Sequence, residues 1–224
     1  KTTLARTLLG RDVGEVRDAP HVTREASRHT LIDTAEGDAL LLWDTPGFGD
    51  SARLARRLRQ QGNPIGWFLS QVWDRFRDPA FWLSQQAVRN VREQADVVLY
   101  LVNAAEAPAD AGYLAPEMAV LEWMERPVIV LLNQTGEPRP PAEEAAEEER
   151  WRQALAGQPV VRSLLTLDAF TRCWVQEGLL LGEVGKVLAA ERQTAFGRLA
   201  VAWRARRETQ FAAAMAVLAG SLAR

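Results

Sequence analysis

Apolar runs that stop at a polar residue mark the strands of this chain. Ala95–Asn103 (A-D-V-V-L-Y-L-V-N) and Pro127–Leu132 (P-V-I-V-L-L, followed by Asn133) are nearly continuous. Such runs belong to parallel strands buried on both faces. Pro159–Leu167 reads as a third. His29–Ala35 and Ala39–Asp44 flank Glu36-Gly37-Asp38 and read as an antiparallel hairpin. The intervening segments follow helical spacing. In residues 1–9, Leu4, Leu8 and Leu9 share a face, and Gly10 is a C-terminal stop. Residues 65–94 are mostly helical with a break at Asp78-Pro79. Ala115–Glu125 and Ala142–Leu155 are helices, the second with Pro141 in its first turn. From Thr171 to Arg224 helix dominates, with weak points at Gly178, Gly182, Gly185 and Gly197. This alternation predicts an α/β fold: a doubly wound, mostly parallel sheet with one antiparallel hairpin strand, over residues 1–190, followed by a helical extension over 191–224.

Composition narrows the class. A chain of 224 residues holds one large α/β domain, or one domain with an appendage. Net charge of -2 supplies no bulk attraction to nucleic acid or anionic membrane, so no nucleic-acid partner is expected. A single cysteine, Cys173, excludes an internal disulfide and fits a reducing, cytoplasmic setting. No signal peptide and no apolar run long enough to span a bilayer is visible. His21 and His29 lack the spacing of a metal site. The chain opens at Lys1-Thr2-Thr3 without a preceding strand and ends within a helical pattern. Both ends read as cut from a longer protein, and membrane contact is expected only through a region beyond Arg224.

Four features fall at the ends of these elements. Lys1-Thr2 opens the first helix, as the last two residues of G-x-x-x-x-G-K-[ST] do. In that motif the Lys reaches the β- and γ-phosphates and the hydroxyl binds Mg²⁺. The glycine-rich half is expected before Lys1. Thr23, within Pro20-His21-Val22-Thr23-Arg24, lies in an irregular loop that can fold over Mg²⁺ and a γ-phosphate. Asp44-Thr45-Pro46-Gly47 ends a strand where open α/β sheets place their ligands. A carboxylate there can hold Mg²⁺ through water, and Gly47 lets a backbone N–H approach a terminal phosphate. Asn133-Gln134-Thr135-Gly136 follows the later strand, where a base-recognition loop belongs.

With K-T-T-L, P-H-V-T-R, D-T-P-G-F and N-Q-T-G in this order, the chain resembles the P-loop GTPases of the Era- and TrmE-like bacterial branch. N-Q-T-G together with L-D-A-F-T-R-C-W-V-Q-E (167–177) is more narrowly similar to bacterial GTPase-domain proteins with an uncharacterised C-terminal region. The resemblance implies a Ras-like G domain that binds GTP and GDP and hydrolyses GTP with Mg²⁺. It assigns Lys1, Thr2, Thr23 and Gly47 to phosphate. It assigns Asn133, Gln134, Asp168 and Ala169 to the base, and Thr2, Thr23 and Asp44 to the metal.

Two departures qualify this. The family's N-K-x-D has a Lys on the guanine plane and an Asp that accepts from guanine N1 and N2. Gln134 and Gly136 stand there instead, so guanine selectivity should fall unless Asp168 or Glu137 supplies the carboxylate. Phe48 stands where Ras-like enzymes carry a water-positioning glutamine. Water must then be oriented by a monovalent cation such as K⁺, by a partner, or by dimerisation, and intrinsic hydrolysis should be slow. The long 51–94 segment, with Trp67, Phe68, Trp73, Phe76, Phe81 and Trp82, is either a helical insertion packed on the domain or a surface for an effector or self-association. If the latter, a non-hydrolysing interaction module is the second functional expectation.

Overall fold

The computed structural model describes residues 2–10, 27–45, 47–59, 76–168 and 174–222. In chain order the elements are α1 (Thr2–Leu9), β1 (Ser27–Asp33), β2 (Ala39–Asp44), α2 (Ser51–Arg59), α3 (Pro79–Gln94) and β3 (Val98–Asn103). They continue with α4 (Leu114–Met124), β4 (Val128–Asn133), α5 (Pro141–Leu155), β5 (Val161–Thr166), α6 (Trp174–Val187) and α7 (Ala190–Leu222). The chain divides into two compact units, Lys1–Ser27 with Trp43–Arg172 and Arg28–Leu42 with Cys173–Arg224.

In the first unit, β3, β4 and β5 form a parallel sheet in the order β3-β4-β5. β4 is central and Val128, Ile129, Val130 and Leu131 are completely buried, as its unbroken apolar run requires. Removing each such side chain from water stabilises the fold by roughly 1.5–3 kcal/mol. Met118, Val120, Leu121 and Met124 of α4, Trp151 and Leu155 of α5, and Leu54, Ala55 and Leu58 of α2 join the core. The spacing of Leu54 and Leu58 puts one face of α2 inward and leaves Arg56 and Arg59 exposed.

The break expected at Asp78-Pro79 is the start of α3. Asp78 Oδ1 accepts the Phe81 N–H at 3.1 Å, and Pro79 occupies the first turn. Arg53 pairs with Asp78 at 2.5 Å, and its guanidinium lies 3.8 Å from the centre of the buried Phe81 ring. The hydrogen bond from Arg53 holds the Asp78 carboxyl below its ordinary range. β3 starts at Val98 rather than Ala95 because Ala95 caps α3, its N–H donating to the Val91 carbonyl.

In the second unit the β1–β2 pair forms its own two-stranded sheet. Its turn closes through Thr34 N–H to the Asp38 carbonyl at 3.0 Å, with Gly37 at φ +90°. Arg198 of α7 grips Asp38 with two bonds, Nε to Oδ2 at 2.6 Å and Nη2 to Oδ1 at 3.1 Å. The C-terminal helical region is broken at Leu188-Ala189, not at its glycines. Gly178 and Gly185 lie inside α6, where a Cβ would come within 3.2 Å of the Trp203 ring and 2.9 Å of the Phe196 ring. A glycine costs a helix about 1 kcal/mol, yet here it lets the aromatic residues of α7 pack against α6. A buried ion pair, Glu177 with Arg207, joins the same two helices. Among the described residues no helix is long and apolar enough to cross a membrane.

Candidate functional site

The first part of the site is built where α1 begins and β2 ends. Helix α1 starts at Thr2, and β2 delivers Asp44 as its last residue. The Thr2 hydroxyl donates to Asp44 Oδ2 at 2.6 Å, and both residues are buried. A hydroxyl bonded to a carboxylate away from water is a strong, charge-assisted contact. It brings together two oxygen donors separated by 42 positions of sequence. Gly47 follows closely. Among the described residues other than its chain neighbours, no atom lies within 4 Å of the place where its Cβ would be, so their packing does not demand a glycine there.

Phe48 is half-buried. It packs against the core, and its ring stacks on Tyr100 of β3 with centroids 6.5 Å apart and planes at 29°. The Tyr100 hydroxyl donates to Glu117 Oε2 of α4 at 2.5 Å. Burial, reinforced by that carboxylate, holds the tyrosine hydroxyl well above its ordinary pKa.

The second part lies beyond β4 and β5. The Ala104 N–H donates to the Asn133 carbonyl at 2.7 Å and the Leu167 N–H to the Leu132 carbonyl at 3.0 Å, which fixes where the two loops leave the sheet. Gln134 then adopts φ +60° and Gly136 φ +77°. A left-handed conformation is strained for glutamine and persists where the surroundings enforce it. Between them, Thr135 is held by Asp168 from the loop after β5. Its N–H and its hydroxyl both donate to Asp168 Oδ2, at 3.2 and 3.3 Å. On β3, Asn103 pairs in register with Asn133, and its Oδ1 accepts the Ala105 N–H at 3.1 Å.

A cavity of about 440 Å³ adjoins this loop, lined by Glu106, Thr135, Gly136, Glu137, Arg139 and Trp151 among others. Arg139 is paired with Glu147 in its wall, which raises the guanidinium above its ordinary value. Asp168 does not line this cavity. Among the described residues no cluster of three His, Cys, Asp or Glu side chains forms a metal site.

Of the residues singled out by sequence, the structure brings Thr2 to Asp44, and Asp168 to the loop of Asn133 and Gln134. Lys1, Thr23 and Ala169 lie outside the described residues, as do Trp67, Phe68 and Trp73. Thr135 and Tyr100 were not singled out. Thr135 occupies the variable position of an N-Q-T-G loop, and only its place between two unusual neighbours marks it. Tyr100 sits in an apolar strand, where the polar end of the ring is the sole cue.

No curated protein is similar enough to this chain to be matched. Among solved structures, the chain is similar to Aquifex aeolicus Era bound to GDP and AlF₄⁻, at 19% identity and a TM-score of 0.54. It is also similar to Era in complex with MgGDPNP and nucleotides 1506–1542 of 16S ribosomal RNA, at 18% identity and a TM-score of 0.55. Each match covers 84% of this chain and 52% of the other, so the chain spans about half the length of those proteins. At this identity the likeness establishes a shared fold, that of an Era-like P-loop GTPase domain. The family model described as 50S ribosome-binding GTPase matches residues 1–134, more than half of the sequence, and the chain belongs to that family.

Proposed function

We propose that the protein is a GTP-binding molecular switch that hydrolyses GTP to GDP and phosphate with Mg²⁺, slowly in the absence of a partner. The observation that carries this reading is the buried contact between Thr2 and Asp44. Hydroxyl and carboxylate oxygens are the ligands Mg²⁺ prefers. It commonly takes only one or two from protein and the rest from phosphate and water. The pair therefore fits the ion, with Thr23 as a third candidate and Lys1 and Gly47 beside the phosphates. When bound, Mg²⁺ would neutralise charge on the β- and γ-phosphates. With no side chain, Gly47 would let its N–H approach the terminal phosphate closely. Asn133, Gln134, Asp168 and Ala169 would frame the base.

Attack of water on the γ-phosphate relies on positioning and charge stabilisation. Phe48 contributes neither, because its ring is committed to Tyr100. Slow turnover follows, with K⁺, a partner or a second copy supplying the orientation of water. Phosphate release by the intact protein with GTP and Mg²⁺ tests the reading. Release above background that collapses in Asp44→Ala supports it; no release with or without K⁺ sinks the hydrolytic part.

The packing of Phe48 also favours a second reading, a non-hydrolysing interaction module that uses 51–94. Phe76, at 79% exposed, is the described aromatic of that segment most available to a partner. Ribosomal RNA joins protein effectors among the partners to test, since one similar structure contains it. A reducing, cytoplasmic setting goes with either reading.

A further inference from the structure

Guanine offers two adjacent donors on one edge, the N1–H and the N2 amino group. The side chain that complements such an edge is an ionised carboxylate, which only accepts. We infer that Asp168 is the residue that reads this edge, and that the carboxylate selecting guanine comes from the loop after β5 rather than from the loop after β4. The inference rests on the GTP-binding reading and deepens it.

Three observations support it. First, the loop after β4 turns at Gly136, with φ +77°, and presents no carboxylate of its own at that position. Second, Asp168 is fastened to this same loop by both the N–H and the hydroxyl of Thr135. A side chain held by two bonds is pre-oriented, and pre-orientation is what makes a hydrogen-bonding site selective. Third, the other nearby carboxylate, Glu137, is exposed and lines the neighbouring cavity instead. A carboxylate has about four acceptor positions, so its bonds within the loops do not exclude a base.

The hydrogen-bond inventory gives the test. Inosine lacks the N2 amino group, and xanthine replaces that donor with an acceptor. An asparagine offers one acceptor and one donor, which matches xanthine and mismatches guanine. Binding of GTP, ITP, XTP and ATP is measured for the intact protein and for Asp168→Asn, with fluorescent analogues and Mg²⁺. The expected result is that wild type prefers GTP over XTP, and that Asp168→Asn shifts this ratio toward XTP by about a hundredfold. Loss of affinity without a change of ratio would make Asp168 a brace for Thr135 and overturn the inference. If Asp168→Asn binds nothing, Asp168→Ser, which keeps an acceptor, is compared for GTP against ITP. Disappearance of the GTP preference supports the inference; retention, or loss of all binding in this variant too, overturns it. A wild-type protein that binds GTP with unaltered ratios in the variants defeats the inference alone. One that binds no nucleotide defeats the functional reading, and the inference with it.

Discussion

At the end of the site assigned to phosphate, a hydroxyl and a carboxylate 42 residues apart meet inside the protein. At the end assigned to the base, a loop and a carboxylate 33 residues apart meet at its half-buried edge. The first contact is constrained by burial: a carboxylate away from water demands a donor, and the Thr2 hydroxyl supplies it. The second uses hydrogen bonds that several arrangements can satisfy. At the base end the loop reads Asn133-Gln134-Thr135-Gly136, different from N-K-x-D at two positions, whereas the strand end reads Asp44-Thr45-Pro46-Gly47. The contrast also concerns support. The segment after Gly47 rests on the core through Phe48 and Tyr100, whereas Gln134 and Gly136 hold unusual backbone angles around one braced threonine.

The largest effect that would sharpen this contrast is at Asp44. Replacing it by alanine should lower phosphate release by at least about a hundredfold, because metal holding supplies several kcal/mol of charge stabilisation. It should also destabilise the fold by about 1–3 kcal/mol, the cost of losing a buried, charge-assisted hydrogen bond. Asp44→Asn separates the two, since an amide oxygen still accepts from Thr2. Denaturant midpoints near wild type combined with lost Mg²⁺-dependent release are the expected result. Equal stability of Asp44→Ala and wild type would break the claim that the contact is buried and structural.

The base end should respond differently. The expected exchange of preference in Asp168→Asn is large for nucleotide ratios and small for folding, because the residue is half-buried. Thr135→Val tests the brace itself. It removes the hydroxyl bond and keeps the N–H bond to Asp168. A loss of roughly threefold in GTP affinity and less than about 1 kcal/mol in stability is expected, for one neutral contact at a partly exposed position. A collapse of folding would show that this loop belongs to the core after all.

The phosphate end was legible in sequence because its residues stand at the ends of recognisable elements. Apolar runs ending at Asp44 and Asn133 located the strand ends, and the family resemblance assigned Thr2 and Asp44 to one metal. The parallel strands were legible because β4 can only be buried. Boundaries shifted where a local contact outweighed the pattern. Ala95 caps α3 instead of starting a strand, and Leu188-Ala189 breaks the helix while Gly185 makes room for Phe196. Phe48 was read from sequence as a residue unable to orient water. Its ring contact was not legible, because nothing in a string of letters pairs it with a tyrosine in the following strand. Asp168 was visible as a candidate, but its bond to Thr135 accompanies positive φ at Gln134 and Gly136, which sequence pattern does not encode.

The smallest predicted effect examines the support beneath Phe48. Tyr100→Phe keeps the ring on which Phe48 stacks and deletes the hydroxyl that donates to Glu117. Near neutral pH the variant should be less stable by about 1 kcal/mol, with phosphate release within roughly threefold of wild type. The pH dependence then separates a buried hydroxyl from a solvated one. In the unfolded chain this tyrosine ionises near its ordinary value of 10.0, whereas in the folded protein burial and Glu117 hold the pKa above it. The stability tied to the protonated hydroxyl is therefore complete below pH 10 and is lost as pH rises beyond it, since the unfolded state alone releases the proton. The phenylalanine variant has no such proton to lose. The stability gap between the two proteins should narrow above pH 10 by about 1.4 kcal/mol per pH unit, closing near pH 11. A gap unchanged between pH 8 and 11 would mean that the hydroxyl titrates normally in the folded state. The loop after Gly47 would then rest on ring packing alone, and the phosphate end would be less firmly seated than its burial implies.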